Sequence, residues 1–147
     1  EPNKRKAGFE NGCLARNLNY TMKILEDNDS YEEFDRFLSD NMQNGKLLFD
    51  GIFCVTDRLA YYVLKVLKKL NVKVPEDTQI IGFDGIRLFN DMDYICSTIV
   101  QPVSGIAEMC VELLLQEHTT MKPPLVCLPV HYAYGGTTLE SDKNSEN

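Results

Sequence analysis

Residues 51–57 read GIFCVTD and residues 79–84 read QIIGFD, so two short apolar runs each end in an aspartate. Between them, residues 58–70 place apolar side chains at helical spacing, and Pro75 prevents the helix from resuming afterwards. This order predicts a strand–helix–strand unit. Two apolar strands that are joined by one helix are almost always parallel, with a right-handed crossover. The stretch therefore predicts an α/β fold built on a parallel sheet.

The two aspartates, Asp57 and Asp84, follow neighbouring strands of this unit. Open parallel sheets bind their ligands outside the carboxyl ends of the strands, so both carboxylates are expected at a ligand site. Each residue also has a simpler interpretation. Asp57 could serve as the N-cap of the helix, and Asp84 could serve only to turn the chain.

Composition restricts the class of protein. The chain has 147 residues, enough for one domain with one core, and its formal charge of −7 is unsuited to a nucleic-acid surface. No apolar run is long enough to span a membrane. The five scattered cysteines contain no C-x-x-C pair, which favours buried, reduced thiols in a cytoplasmic protein over disulfides or zinc.

The rest of the chain predicts further elements of the same α/β type. A capping box at residues 30–33 opens one helix, and the Asn-Gly pair at 44–45 is expected to end it. The other predictions are a helix over 4–17, strands Tyr20–Leu25, Cys96–Val100 and Leu125–Tyr132, a helix from Pro102 to His118, and a polar tail from Leu139.

Nothing in the sequence nominates an enzyme. The two histidines, His118 and His131, lack metal-ligand spacing, and no nucleophile has a candidate base. The Gly-Gly-Thr-Thr stretch at 135–138 superficially suggests a phosphate loop, but no helix follows it, so a loop with positive φ explains it better. We therefore expect no catalytic residues, no metal and no cofactor.

Recognition of a sugar is the chemistry that remains. Carboxylates accept protons from sugar hydroxyls, a guanidinium and a planar amide donate hydrogen bonds, and an aromatic ring stacks on the C–H face. The candidate residues are Arg5, Asp57, Asp84 and Gln101, with an aromatic contribution from Tyr31. Taken alone, Arg5 could equally be a solvated helix end, and Gln101 an ordinary loop residue.

Several motifs, in order and at their separations, resemble the effector-binding domains of the lactose/galactose repressor family, which share the periplasmic sugar-binding protein fold. The resemblance covers roughly residues 4–139. The motifs are Arg5-Lys6-Ala7-Gly8-Phe9, Thr56-Asp57 with Ala60, Val74-Pro75-Glu76-Asp77, Ile81-Gly82-Phe83-Asp84, Ser97-Thr98-Ile99-Val100-Gln101-Pro102, and Leu128-Pro129-Val130 followed by Thr137-Thr138.

The resemblance implies a role for each matching residue. Arg5 would reach ligand oxygens from the first helix, and Asp84 would accept from a sugar hydroxyl. Thr56 stands where the family often has Asn or Ser on the ligand, with Asp57 beside it, and Gln101 lies on the crossing between subdomains. The chain departs from the family at 135–138, where R-x-S-T is common, so any contact of that arginine is absent.

The resemblance also implies a piece of a longer protein. Residues 1–139 would be the C-terminal part of an effector-binding domain. Residues 1–100 would lie mostly in the C-terminal subdomain, 101–132 would be the return helix and strand of the other subdomain, and 140–147 would be a polar tail. The implied protein is a cytoplasmic, homo-oligomeric repressor controlled by a small sugar or sugar phosphate. It would bind DNA only through an N-terminal domain absent from this sequence, and would not contact a membrane.

Two expectations accompany this interpretation. The alternative function is a periplasmic or surface sugar-binding protein of a transporter, which the five cysteines disfavour. The C-terminal helix and strand are separated from their usual partners in the other subdomain. We therefore expect them to repack onto the sheet, within the chain or by exchange with a second copy.

Overall fold

The parallel α/β architecture is confirmed. A computed structural model describes residues 2–24, 32–87, 92–115 and 125–140, with side chains from residue 4 onward. Its elements are helices α1 (Pro2–Leu14), α2 (Glu32–Asp40), α3 (Asp57–Lys69) and α4 (Val103–Leu115), and strands β1 (Met42–Gln43), β2 (Lys46–Leu47), β3 (Gly51–Phe53), β4 (Gln79–Asp84), β5 (Thr98–Val100) and β6 (His131–Ala133).

The main sheet has four strands in the order β3-β4-β5-β6. Strands β3 and β4 are parallel, β4 and β5 are parallel, and β6 runs antiparallel along β5. The carboxyl ends of β3, β4 and β5 therefore lie at one edge of the sheet, as the sequence predicts.

Helix α3 covers one face of this sheet and forms the core with it. Ala60, Val63, Val66 and Leu67 are buried at helical spacing and pack toward Ile80 of β4. Burying each of the larger apolar side chains contributes about 1.5–3 kcal/mol. This stripe is the one that the sequence predicts.

The ends of α3 are set by two polar residues. The N-cap is Thr56, whose hydroxyl accepts a hydrogen bond from the Leu59 amide at 3.2 Å, so Asp57 is the first helical residue and not the cap that the sequence suggested. Asn71 follows the helix with φ of 58°, the left-handed conformation that ends helices. This end was predicted.

Helix α1 packs near the carboxyl end of the opposite face. The Phe9 ring stacks on Phe53 of β3, with centroids 5.6 Å apart, and the Tyr20 ring meets Phe9 edge-on. Toward the other end of β3 and β4, a groove of about 260 Å³ stays open along Gly51 and Ile81.

Three predicted elements differ from the structure. Residues 20–24 form no strand, because no neighbouring segment among the described residues pairs with them. Asn44 and Gly45, with φ of 52° and 75°, form the turn of the β1–β2 hairpin and do not end α2, which stops at Asp40. Asn-Gly is a strong signal for such a turn. Of the predicted last strand, residues 125–130 have no strand structure, and β6 (His131–Ala133) pairs with β5.

Thr137, in the segment after β6, forms hydrogen bonds to both β4 and the residue preceding β5. The Thr137 hydroxyl donates to the Ile80 carbonyl at 2.7 Å and accepts from the Ser97 amide at 2.8 Å. Gly135 lies so close to Cys96 that a Cβ would be 2.3 Å from its carbonyl. Gly136 has φ of 79°, which confirms that this stretch is a loop with positive φ.

Helix α4 lies outside the core. It has no buried residue, and with 125–130 it lines a groove of about 420 Å³. Within this chain β6 joins the sheet by pairing with β5, whereas α4 does not pack onto it; exchange with a second copy stays a prediction. Within the described ranges, no helix combines the length and apolar character needed to cross a membrane.

Candidate functional site

Three of the predicted site residues meet at the carboxyl edge of the sheet. Asp84 ends β4, Gln101 follows β5, and Arg5 approaches from α1. The Asp84 carboxylate accepts a hydrogen bond from the Gln101 side-chain amide at 2.7 Å, and one Arg5 guanidinium nitrogen lies 3.6 Å from the same oxygen, Oδ1. The side chains of Arg5 and Asp84 are 24% and 27% exposed, so this polar cluster is half-buried and part of it is open to solvent.

Arg5 is held by two further contacts. Its Nη1 donates to the Val55 carbonyl at 2.6 Å, at the end of the chain segment that continues β3. Its guanidinium carbon lies 3.9 Å from the centroid of the Phe83 ring, a cation–π distance. The guanidinium is therefore oriented before any ligand arrives, which lowers the entropic cost of binding.

The Asp84 backbone is unusual. Its φ is 127°, a value that residues with side chains rarely adopt, and Gly85 follows with φ of 79°. The backbone amide of Gln101 donates to the backbone carbonyl of Asp84 at 3.5 Å. The chain thus turns sharply where the Asp84 carboxylate is presented beside Gln101. Strain of this kind often marks functional sites.

Asp57 is not placed in this half-buried cluster. It is fully buried, and its carboxylate accepts from the Ile86 amide at 2.7 Å and from the Thr98 hydroxyl at 2.6 Å, with the Cys96 thiol 3.8 Å away. In this conformation both oxygens accept hydrogen bonds inside the protein, and a contact of Asp57 with ligand stays a prediction.

Thr56 is half-buried, and its hydroxyl is used to cap α3. It lies next to Val55, whose carbonyl holds Arg5, so it borders the cluster without entering its hydrogen bonds. Tyr31, expected as a stacking aromatic, lies outside the described residues, as does His118.

The two thiols and the phenol behind the cluster are neutral. Burial raises the pKa of the Cys54 and Cys96 thiols to about 12, and each thiol is further held in its neutral form by the charge of Asp57. Burial likewise raises the pKa of Tyr61 to about 12. Thiols that stay protonated are poor nucleophiles and poor metal ligands.

The arrangement is thus suited to binding. In the part of the chain that the structure describes, no group of three or more His, Cys, Asp or Glu side chains could hold a metal ion. The cluster offers a carboxylate acceptor flanked by guanidinium and amide donors, the set that pairs with vicinal hydroxyls.

Sequence reasoning missed three contributors. Phe83 supports Arg5, and Thr98 and Gly82 surround Asp57. Alternation along β4 could have placed Phe83 on the face of the sheet opposite α3. Neither Thr98 nor Gly82 carries a local signal, because their partners come from α3.

The family comparison agrees with this geometry. The family of periplasmic binding protein-like domains matches residues 1–138. The chain belongs to this family. The fold predicted from the motifs, and the resemblance to effector-binding domains of lactose/galactose-type repressors, are thereby confirmed.

Curated relatives in this family are regulators. The sucrose operon repressor of Pediococcus pentosaceus is 41% identical over 68 residues, which cover 46% of this chain and 21% of that protein. The catabolite control protein A of Staphylococcus epidermidis is 32% identical over 116 residues, covering 78% of this chain and 34% of that protein. The matched residues of this chain therefore cover about a fifth to a third of the length of these relatives.

A solved structure of a transcriptional regulator has a similar fold. A periplasmic binding protein/LacI transcriptional regulator from Alkaliphilus metalliredigens QYMF, complexed with D-xylulofuranose, superposes with a TM-score of 0.59 at 27% identity. The match covers 92% of this chain and 51% of that one.

Proposed function

We propose that this chain is part of the effector-binding domain of a sugar-responsive transcriptional repressor. The complete protein would act in the cytoplasm as a homo-oligomer and bind DNA through a separate domain. A small sugar or sugar phosphate would bind between two subdomains, change their relative angle, and shift the affinity for DNA. The role is non-enzymatic.

The observation that carries this proposal is the cluster of Arg5, Asp84 and Gln101. Its members come from three separate elements and converge on one carboxylate oxygen, Asp84 Oδ1. A sugar hydroxyl could donate to Asp84 while neighbouring sugar oxygens accept from Arg5 and Gln101. The relatives support the ligand class, since one is a sucrose operon repressor and another was solved with a ketopentose.

The proposed domain division has support from burial. We assign residues 1–100 mostly to the C-terminal subdomain and 101–132 to the return helix and strand of the other subdomain. Helix α4 has no buried residue here, as expected for an element whose partners belong to that second subdomain. Strand β6, by contrast, pairs with β5 in the same sheet as β3 and β4, so this support extends to α4 and not to residues 131–133.

The first test removes the central acceptor. In the complete regulator, Asp84→Ala should weaken sugar binding by roughly 2–4 kcal/mol, because a charge-assisted hydrogen bond is lost and the ligand's donors are left unpaired. Asp84→Asn should be milder, since the amide oxygen still accepts. Calorimetry with sucrose, D-xylulose, D-ribose and lactose measures the change.

The matched control is Asp40→Ala, which removes an exposed carboxylate at the end of α2, away from the cluster. It should leave the affinity unchanged. Equal affinities of the Asp84→Ala variant and the wild type for every sugar that binds would contradict the proposed site.

A further inference from the structure

Asp57 has a role in the site that its burial reveals. We infer that Asp57 and Thr98 are positioning residues, which hold the turn at Asp84–Gly85–Ile86 so that the Asp84 carboxylate faces Arg5 and Gln101. This inference rests on the proposed function, because it concerns how that same site is shaped.

The first step is the pairing of the two backbone amides after Asp84. The Ile86 amide donates to Asp57 Oδ2 at 2.7 Å, and the Gly85 amide donates to the Thr98 hydroxyl at 3.3 Å. Thr98 in turn donates to Asp57 Oδ1 at 2.6 Å. One buried carboxylate and one buried hydroxyl therefore fix both peptide groups that follow Asp84.

Helix α3 contacts the same turn through a second residue, Tyr61. The Tyr61 hydroxyl lies 3.5 Å from the Ile86 carbonyl, and Tyr61 is four residues after Asp57. Residues at i and i+4 share one face of a helix. The first two turns of α3 thus contact Ile86 at both its amide and its carbonyl, so the position of Ile86 is set by the helix.

The fit around Asp57 is also close. A Cβ on Gly82 would lie 2.2 Å from Asp57 Oδ1, so β4 approaches the carboxylate as only glycine allows. Such an enclosed carboxylate is stable only while its donors remain in place. Those donors include the turn itself, and this couples the burial of Asp57 to the conformation of Asp84.

This arrangement explains why Asp84 keeps φ of 127°. Left to itself, a residue with a side chain would relax to negative φ and move its carboxylate. The hydrogen bonds to Gly85 and Ile86 oppose that relaxation from the α3 side of the sheet. The carboxylate is thereby kept 2.7 Å from the Gln101 amide nitrogen.

The test uses threonines, since replacing Asp57 itself could prevent folding. Thr98→Val removes the donor to Asp57 and the acceptor for Gly85, whereas Thr98→Ser restores both. Thr78→Val is the matched control. Thr78 is equally buried at the opposite end of β4, where its hydroxyl donates to the Phe49 carbonyl at 2.8 Å. Both valine variants lose buried hydrogen bonds, but only one of them lies at the turn.

In the complete regulator, calorimetry with sucrose, D-xylulose, D-ribose and lactose should show affinity weakened about tenfold by Thr98→Val, the size expected from one or two lost hydrogen bonds. The Thr98→Ser variant should recover most of the affinity, and the Thr78→Val variant should match the wild type. In the 147-residue chain, amide hydrogen exchange at Gly85 and Ile86 should speed up in Thr98→Val and stay unchanged in Thr78→Val.

The outcomes separate the two claims. If Asp84→Ala abolishes binding while Thr98→Val and Thr78→Val bind equally well, the positioning role is overturned and the proposed function stands. Unchanged exchange at Gly85 and Ile86 in Thr98→Val would also overturn it, whatever the sugar result. If the wild type binds none of the sugars, the proposed function fails and the positioning role falls with it.

Discussion

Helices α3 and α4 have the same length, 13 residues, yet the more apolar of them is the less buried. Helix α3 reads DRLAYYVLKVLKK and buries five residues, whereas α4 reads VSGIAEMCVELLL and buries none. Leu67 of α3 is 0% exposed, and Leu114 of α4 is 84% exposed. The difference teaches that apolar content shows a need for burial, while the neighbouring elements decide whether burial occurs.

The same contrast separates two kinds of surface. The α3 side of the sheet is closed, and it positions Asp84 through Asp57. Helix α4 and residues 125–130 instead present an open apolar groove. Under the proposed function, that groove is a face which the second subdomain covers in the complete protein.

The sharpest way to break the comparison is a pair of leucine substitutions. Leu67→Ala should lower the free energy of unfolding of the chain by about 2–5 kcal/mol, because it leaves a cavity in the core. Leu114→Ala should change it by less than about 0.5 kcal/mol, because its side chain contacts mostly solvent. Urea denaturation measures both. A large loss from Leu114→Ala would show that α4 is packed after all.

Cysteine reactivity is a second test of the same contrast. Cys110 and Cys127 are exposed, which is a correction to the sequence-based expectation of burial, whereas Cys54 and Cys96 are buried with pKa values raised to about 12. A thiol with a raised pKa stays protonated as the pH rises toward that value. Between pH 7 and 9 we therefore expect the exposed pair to react with a disulfide reagent more than about 100-fold faster than the buried pair, which must wait for the chain to open.

Mass spectrometry of the labelled chain assigns the sites. Labelling of Cys110 and Cys127 should be fast because both side chains are exposed, whereas labelling of Cys54 and Cys96 should stay slow across this pH range. Unfolding in urea is the positive control, because all four thiols should then react at similar rates. Fast labelling of Cys96 in the native chain would contradict the closed core.

Glycine substitutions should give the smallest effects. Gly82→Ala should destabilise the chain by about 1–3 kcal/mol, because its methyl group would overlap the Asp57 carboxylate. Gly105→Ala is the matched change in α4, where the nearest atom to a new Cβ is Leu128 Cδ1 at 3.7 Å. It should stabilise the helix by up to about 1 kcal/mol, since alanine favours helix more than glycine does. Thermal unfolding curves of the two variants compare them directly, and equal shifts would contradict the close approach of β4 to Asp57.

Local patterns were enough for most of the fold. Short apolar runs predicted β3 and β4, helical apolar spacing predicted α3, and the parallel pairing of the strands followed from the connection between them. The strand over Tyr20–Leu25 was not found within the described residues, because a strand requires a partner that composition does not reveal. The hairpin at Asn44-Gly45 was within reach of sequence reasoning, since the turn chemistry is local.

The site divides in the same way. Chain topology alone predicts that Asp57, Asp84 and Gln101 follow neighbouring strands, and the motif at Arg5 indicates a donor nearby. Only the tertiary structure decided that Asp84, Arg5 and Gln101 converge on the surface while Asp57 turns inward. Periodicity identifies the strand that an acid follows, but an acid at a strand end can point outward or inward. That choice depends on donors such as Thr98 and Ile86, which are distant in sequence and meet Asp57 only when α3 packs on the sheet.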